Sequence, residues 1–333
     1  MQGSSEQSTA SARDNGARRL LSPFIGSRAV AFPELTYANP DHPKFKRWLI
    51  RRIEQASGRD DFAESYGVWR NEHWPVSNTP MADMLHLAGI KLSADGAQWP
   101  PKHLGDEPLV LIANHPFGIG DGIAIMALAE KLGRPMKILI NTELMKVPEI
   151  RAYSLPVSFE ETKEALKANM KTKRDAEAFL ASGGLLVVFP GGGVATAESG
   201  FGRASELPWK TFTAKLVQSS KATVLPVFFH GQNGRMFHMA SRVSMTLRTS
   251  LLIREFRKLS GRTIRVSIGE PISSERLSEF SDRKALLAYL QDRVFSIVKP
   301  DVPARRPRHT NSWAERSKAR IKRRTRRLLK RHP

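Results

Sequence analysis

Asn114-His115-Pro116 and, six positions after the histidine, Asp121 place an imidazole and a carboxylate on either side of a short glycine-bearing loop. An imidazole with one ring nitrogen held by a carboxylate keeps the other free to take a proton, and the carboxylate stabilises the imidazolium that forms. That equipment suits the activation of an alcohol or an amine as a nucleophile. The preceding run Leu109 to Ala113 reads as a buried strand and Gly122 to Leu132 as an amphipathic helix, so Gly118-Ile119-Gly120 turns the chain between them. By spacing alone His115 fits two roles: a base oriented by Asp121, or a side chain that caps the helix or bonds backbone in the turn. In the first role Asn114 holds the loop, and Asn114 and Gly118 count among the groups that meet substrate.

Downstream, the apolar strand Leu185 to Phe189 ends at Pro190 and a run of three glycines, Gly191, Gly192 and Gly193. Backbone without side chains can approach a ligand closely and offer N–H groups to an oxyanion or phosphate; the same residues also make an ordinary strand-ending turn. A further apolar run, Thr223 to Phe229, delivers Gln232 and Asn233 to the loop beyond it. Ligands of open α/β sheets sit outside the carboxyl ends of strands, which makes these amides candidate substrate contacts. Arg151, Arg203 and Lys210 are the candidate cations for a phosphate or carboxylate, though each taken singly reads first as a solvated surface charge. His230 and His238 lack carboxylate or cysteine neighbours at metal-ligand spacing, so no metal is expected. No nucleophile elbow, dinucleotide fingerprint, phosphate-loop lysine or zinc-protease helix motif occurs.

The order of the segments VLIANHPFGIGDGIAI, KILINTELMKVPEI, LPVS, GGLLVVFPGGGVA and VLPVFFHGQN, over about residues 103 to 272, resembles the phospholipid/glycerol acyltransferase superfamily. Its hallmark is Asn-His-x4-Asp, then a Phe-Pro-Glu-Gly block and a later Pro-Val strand. The His-to-Asp gap is one residue longer here, which is similar to the hemolysin-like branch that includes ornithine-lipid and glycine-lipid acyltransferases. Two departures matter. After Phe189-Pro190 the usual acidic and basic residues are replaced by glycines and Val194, and Pro156-Val157 leads into Ser158, Phe159 and Glu160 rather than the arginine of the glycerol-phosphate enzymes.

The resemblance implies an enzyme that moves a fatty acyl group from an acyl-carrier-protein or coenzyme A thioester to the hydroxyl of a lysophospholipid or glycerolipid. His115 would be the base and Asp121 its partner, with Pro190 and Gly191 to Gly193 at the substrate. The thioester is a donor substrate and no resident cofactor is implied. An ornithine- or glycine-type N-acyltransferase is the nearest alternative, and a noncatalytic lipid- or nucleic-acid-binding protein is the rival of a different class.

The 333 residues carry a formal charge of +21, of which the segment from Pro303 onward contributes +12, with thirteen Lys or Arg against Glu315 alone. A polycation attracts any polyanion. Trp313, Ile321 and Leu328 share one arc of a helical wheel with cations around them, which suits a helix lying on an anionic membrane; a solvated, unstructured tail is the other reading. The tail is therefore expected to meet a membrane surface, and nucleic acid is not the expected partner. With no cysteine, no secretory signal pattern and no run near the roughly 18 apolar residues that span a bilayer, the expected location is cytoplasmic, peripheral to the inner face of the cell membrane. Oligomeric state is left open.

Alternating strand and helix patterns predict an α/β sandwich around a mostly parallel central sheet flanked by helices. Strands are expected near Leu109, Ile138, Val187, Val224 and Ile264, with helices near Ile125, over 166–180, 210–217 and 251–259, and a closing helix over 277–298 capped by Ser273-Ser274. The domain reading is a flexible arm over 1–43, a helical subdomain over 44–100, a catalytic domain over 101–299 and the basic tail over 300–333. In the helical subdomain Trp48, Leu49, Ile53, Phe62, Tyr66, Trp69, Met81, Met84, Leu85 and Ala88 recur at helical spacing and are expected to pack inward.

Overall fold

The computed structural model describes residues 32–298, apart from 103, 159, 161, 199 and 201. The basic tail and most of the N-terminal arm lie outside the described residues. Seven strands, β1 (Lys91–Gly96), β2 (Leu109–Ala113), β3 (Met136–Asn141), β4 (Ser154–Val157), β5 (Leu185–Val188), β6 (Thr223–Phe229) and β7 (Thr263–Ile268), form one sheet in the order β1-β7-β6-β2-β5-β3-β4. Every neighbouring pair is parallel except β6 with β7.

Strand β2 shows why the sheet is a middle layer. All five of its residues are buried, and successive side chains of a strand point to opposite faces. Leu109, Leu111 and Ala113 enter one core with the helix Ile119–Glu130 and Met81, Met84 and Leu85 of the helix Pro80–Leu87. Val110 and Ile112 enter the other, with Ala176 and Leu180 of the helix Lys163–Ala181, Leu216 and Val217 of the helix Thr211–Ser220, and Leu286, Leu290 and Val294 of the helix Arg283–Phe295. A strand covered on both faces needs a continuous apolar run, and that is the pattern of Leu109 to Ala113. The helix Lys163–Ala181 begins where Thr162 accepts from Ala165 N at 3.1 Å and ends before Gly183, whose φ of 82° suits glycine.

Three expectations are corrected. Residues 91–96, placed in the helical subdomain, form strand β1, which pairs in parallel with β7 at the sheet edge. The sequence Lys-Leu-Ser-Ala-Asp-Gly is largely exposed and carries no apolar run, as edge strands do, so the period gives no signal. The closing helix is two helices, Ser274–Ser278 and Arg283–Phe295, because Asp282 accepts from Ala285 N at 2.9 Å and starts the second anew. Trp48 and Leu49 of the helix Lys44–Ala56 are exposed rather than packed, since this helix buries Ile50 and Glu54 and turns the opposite arc outward. Phe62, Tyr66, Trp69, Met81, Met84 and Leu85 do pack inward, in the same core as β2, β5 and β6.

Candidate active site

The carboxyl end of β2 carries Asn114 and His115. Asn114 Nδ2 donates to the Phe229 carbonyl at 2.9 Å and its Oδ1 accepts from Phe229 N at 2.6 Å. This amide imitates one more rung of the β2–β6 ladder just past its last pair, Ala113 and Val227. Asn114 is buried, and its polar atoms face backbone rather than open space.

His115 is fixed from four sides. Its Nδ1 lies 2.8 Å from Asp121 Oδ1. Its ring stacks on Phe189 at 4.1 Å between centroids and 24° between planes. Its N–H donates to Glu206 Oε1 at 2.7 Å, and its carbonyl accepts from Ala195 N at 2.8 Å. Asp121, fully buried in the first turn of the helix Ile119–Glu130, accepts from Phe117 N through Oδ2 at 2.6 Å. The helix N-terminus also favours its negative charge. Gly118 makes the turn between the two residues with φ of 78°, and a Cβ there would meet Leu252 at 2.8 Å.

Nδ1 faces the carboxylate, and among the described residues Nε2 has no partner, while the His115 side chain keeps 16% of its surface exposed. Burial opposes the charged imidazole. The charge and contact of Asp121, followed by Glu206, outweigh burial and hold the His115 pKa above the ordinary imidazole value. The arrangement is an imidazole with an oriented ring and an open second nitrogen.

Glu206 was not legible as a site residue. Burial pushes its carboxyl up to about 7, against the pull of the His115 N–H. Its Oε2 is buried without a hydrogen-bond partner and lies 3.0 Å from where a Cβ on Gly191 would stand. The Glu206 carboxyl thus fills the space beside Gly191 that a side chain there would need. The bridge between Thr196 and Ser205, hydrogen-bonded both ways at 3.0 Å, folds the chain back and brings Glu206 to His115.

Arg248 is the second unforeseen residue. It is buried, donates through Nη2 to the Val194 carbonyl, and lies 5.5 Å from the Phe237 ring centroid. Among the described residues no carboxylate pairs with it. Nη2 is 3.9 Å from the Cβ position of Gly193, beside the glycine turn. Burial lowers its pKa.

The glycine turn is partly committed. Gly192, with φ of 70°, donates to Phe189 O at 2.9 Å and is no free donor, whereas Gly191 and Gly193 N–H have no acceptor among the described residues. Pro190 accepts from Lys210 N at 2.9 Å, which ties the backbone of Lys210 to the turn while its side chain stays exposed. Arg151 is exposed and donates to Met145 O at 2.6 Å, and Arg203 is exposed; neither shows a contact with the His115 cluster. Gln232 braces the 202–204 loop, accepting from Ala204 N at 2.8 Å and donating to Gly202 O at 3.1 Å. Asn233 is buried with its Nδ2 lacking an acceptor. His230 bonds Ser267 at 2.7 Å and His238 accepts from Ala197 N at 3.3 Å, both structural contacts. Among the described residues no three His, Asp or Glu side chains gather closely enough to hold a metal ion.

Residues 84–298, well over half of the chain, match the family described as Acyltransferase. The chain is a member of the acyltransferase family. No curated protein sequence matches this acyltransferase. Among solved structures, it is similar to the 1-acyl-sn-glycerophosphate (LPA) acyltransferase PlsC from Thermotoga maritima, with 18% identity and a TM-score of 0.42 over 78% of this chain and 82% of that one.

Proposed function

We propose that this acyltransferase moves a fatty acyl group from an acyl-carrier-protein or coenzyme A thioester to the hydroxyl of a lysophospholipid or related polar lipid precursor in membrane lipid synthesis. The observation that carries this reading is the His115–Asp121 contact at 2.8 Å, at the end of a buried strand, with His115 Nε2 left open. Nε2 takes the acceptor proton as the acceptor oxygen attacks the thioester carbonyl, and the Asp121 charge stabilises the imidazolium. The N–H groups of Gly191 and Gly193 stand ready for the oxyanion. When the C–S bond breaks, the imidazolium returns its proton to the leaving thiolate, so no acyl-enzyme is needed.

Arg248 supplies a buried cation for an anionic group of the acceptor or donor. A guanidinium held out of water without a carboxylate is unfavourable until an anion joins it. Donor binding is further assisted by the positive charge of the chain, because carrier proteins and coenzyme A are anionic. No helix among the described residues is long and apolar enough to cross a membrane. We place the enzyme peripherally, at the inner face of the cell membrane, with the basic tail as one contact.

A second reading, acyl transfer to an amine, is favoured by Glu206. An amine retains an N–H after His115 has engaged the first, and the unpartnered Glu206 Oε2 is a suitable acceptor for it. Supplying labelled acyl donor with a panel of lysophospholipids and amino acids, and identifying the products, tests both readings. Ester products from lysophospholipids support the first and amide products the second. Absence of any transfer across the panel, with folded protein, would overturn both.

A further inference from the structure

The helix Lys44–Ala56 meets the rest of the fold along a narrow arc. Its outer arc carries Phe45, Trp48 and Leu49 at i, i+3 and i+4 spacing, with Phe45 72% and Trp48 53% exposed and their rings stacked at 5.9 Å. Beside them Lys44, Arg47, Arg51 and Arg52 line an open groove of about 530 Å³, and the Arg52 guanidinium lies 5.7 Å from the Trp48 centroid. The helix Arg235–Val243 repeats the pattern. Met236, Met239 and Val243 are exposed along one side, with exposed Arg242 adjacent, and Met245 follows in the next helix.

Both helices rest on one small apolar cluster. Ile53 and Ala240 pack there against Val194, Phe237, Leu251 and Leu252. Val194 immediately precedes Ala195, which donates to the His115 carbonyl. The cluster therefore joins the two exposed faces to the segment that borders the catalytic histidine.

Seven large apolar side chains left in solvent on adjoining elements mark a binding surface rather than scattered exposure. Aromatic and methionine side chains flanked by Lys and Arg suit the boundary between headgroups and acyl chains, where the apolar groups enter the lipid and the cations meet anionic headgroups. We propose that the outer faces of the helices Lys44–Ala56 and Arg235–Val243, together with Met245, form the surface by which the enzyme docks on an anionic lipid bilayer. The proposal rests on the lipid acyl-transfer reading and adds the face that meets the membrane. An acidic carrier protein would answer the cations and leave most of the apolar residues unexplained.

The test uses the full chain and vesicles of phosphatidylcholine with and without phosphatidylglycerol. Phe45→Ser with Trp48→Ser, and separately Val243→Ser with Met245→Ser, should weaken partition to the mixed vesicles about tenfold or more, as expected for several buried apolar groups. Arg47→Gln with Arg51→Gln and Arg52→Gln should remove much of the preference for phosphatidylglycerol. In mixed vesicles containing brominated lipid, wild-type tryptophan fluorescence should be quenched, and Trp48→Phe should lose a substantial part of that quenching. Wild-type partition by all three variants, or quenching unaltered by Trp48→Phe, overturns the proposal. So does unchanged vesicle binding combined with lost binding to acyl-carrier-protein, which would assign the face to that protein. Binding is read without turnover, so failure here, with acyl transfer to detergent-dispersed acceptor intact, removes the docking surface and leaves the acyl-transfer reading standing.

Discussion

Glu206 and His115 are 91 residues apart in the chain, yet Glu206 Oε1 accepts the His115 backbone N–H at 2.7 Å. The bond places a second carboxyl next to His115, and both Asp121 and Glu206 raise the proton affinity of the imidazole. Replacing Glu206 by Gln keeps an acceptor for the N–H and removes the charge. Because Glu206 raises the His115 pKa, the acid limb of kcat/KM should move to lower pH in Glu206→Gln. A pH–rate profile with an unmoved acid limb would rule out this coupling.

The same substitution has an effect on stability whose sign is fixed by linkage. The folded carboxyl titrates at about 7 against an ordinary 4.5, so the folded chain holds a proton there that the unfolded chain has released between those values. The stability that this group contributes is complete below the ordinary value and is lost as pH rises through about 7. Glu206→Gln should therefore be neutral near pH 4 and stabilising at pH 8, on the order of 1–3 kcal/mol. Thermal melts of both proteins across that range check it.

His115→Ala should lower turnover by at least about 10²-fold, the contribution of a positioned base, in a variant that still folds. The side chain stacks on Phe189 without filling a deep core position. Near-normal turnover from a folded variant would exclude His115 as the base.

Asp121→Asn preserves volume and an acceptor for Phe117 N while removing the charge opposite Nδ1. Imidazolium formation becomes harder, so turnover should drop on the plateau above the acid limb and the His115 pKa should fall. Nuclear magnetic resonance titration of the His115 ring in the two proteins measures the shift directly.

Asn114→Ala deletes both bonds to Phe229 and leaves two buried backbone groups unpaired. A stability loss of about 2–5 kcal/mol is expected, together with reduced turnover. Urea unfolding followed by an activity assay at low denaturant separates the two. A loss below about 0.5 kcal/mol would mean that water replaces the amide.

What the sequence disclosed was local. The apolar run before Asn114, the glycine turn and Asp121 lie within one strand–loop–helix unit, where period and spacing carry the geometry. Strand β1 is an exposed edge whose residues alternate with no apolar partner face, so no period marks it. Glu206 and Arg248 reach the site from a bridge and a short helix far along the chain, and a lone acid or arginine in such segments has no distinguishing spacing. Trp48 and Leu49 follow helical periodicity as a core would. The period identifies a face and says nothing of whether protein covers it.

The tie between Asn114 and Phe229 makes one amide proton a clock for the whole site. Phe229 N–H is bonded to a side chain rather than to a strand, so it can exchange with solvent when the Asn114 loop lets go of β6, and it need not wait for the sheet to unfold. Any ligand that braces the loop should slow that single proton ahead of its neighbours in β6, turning it into a readout of occupancy that requires no turnover.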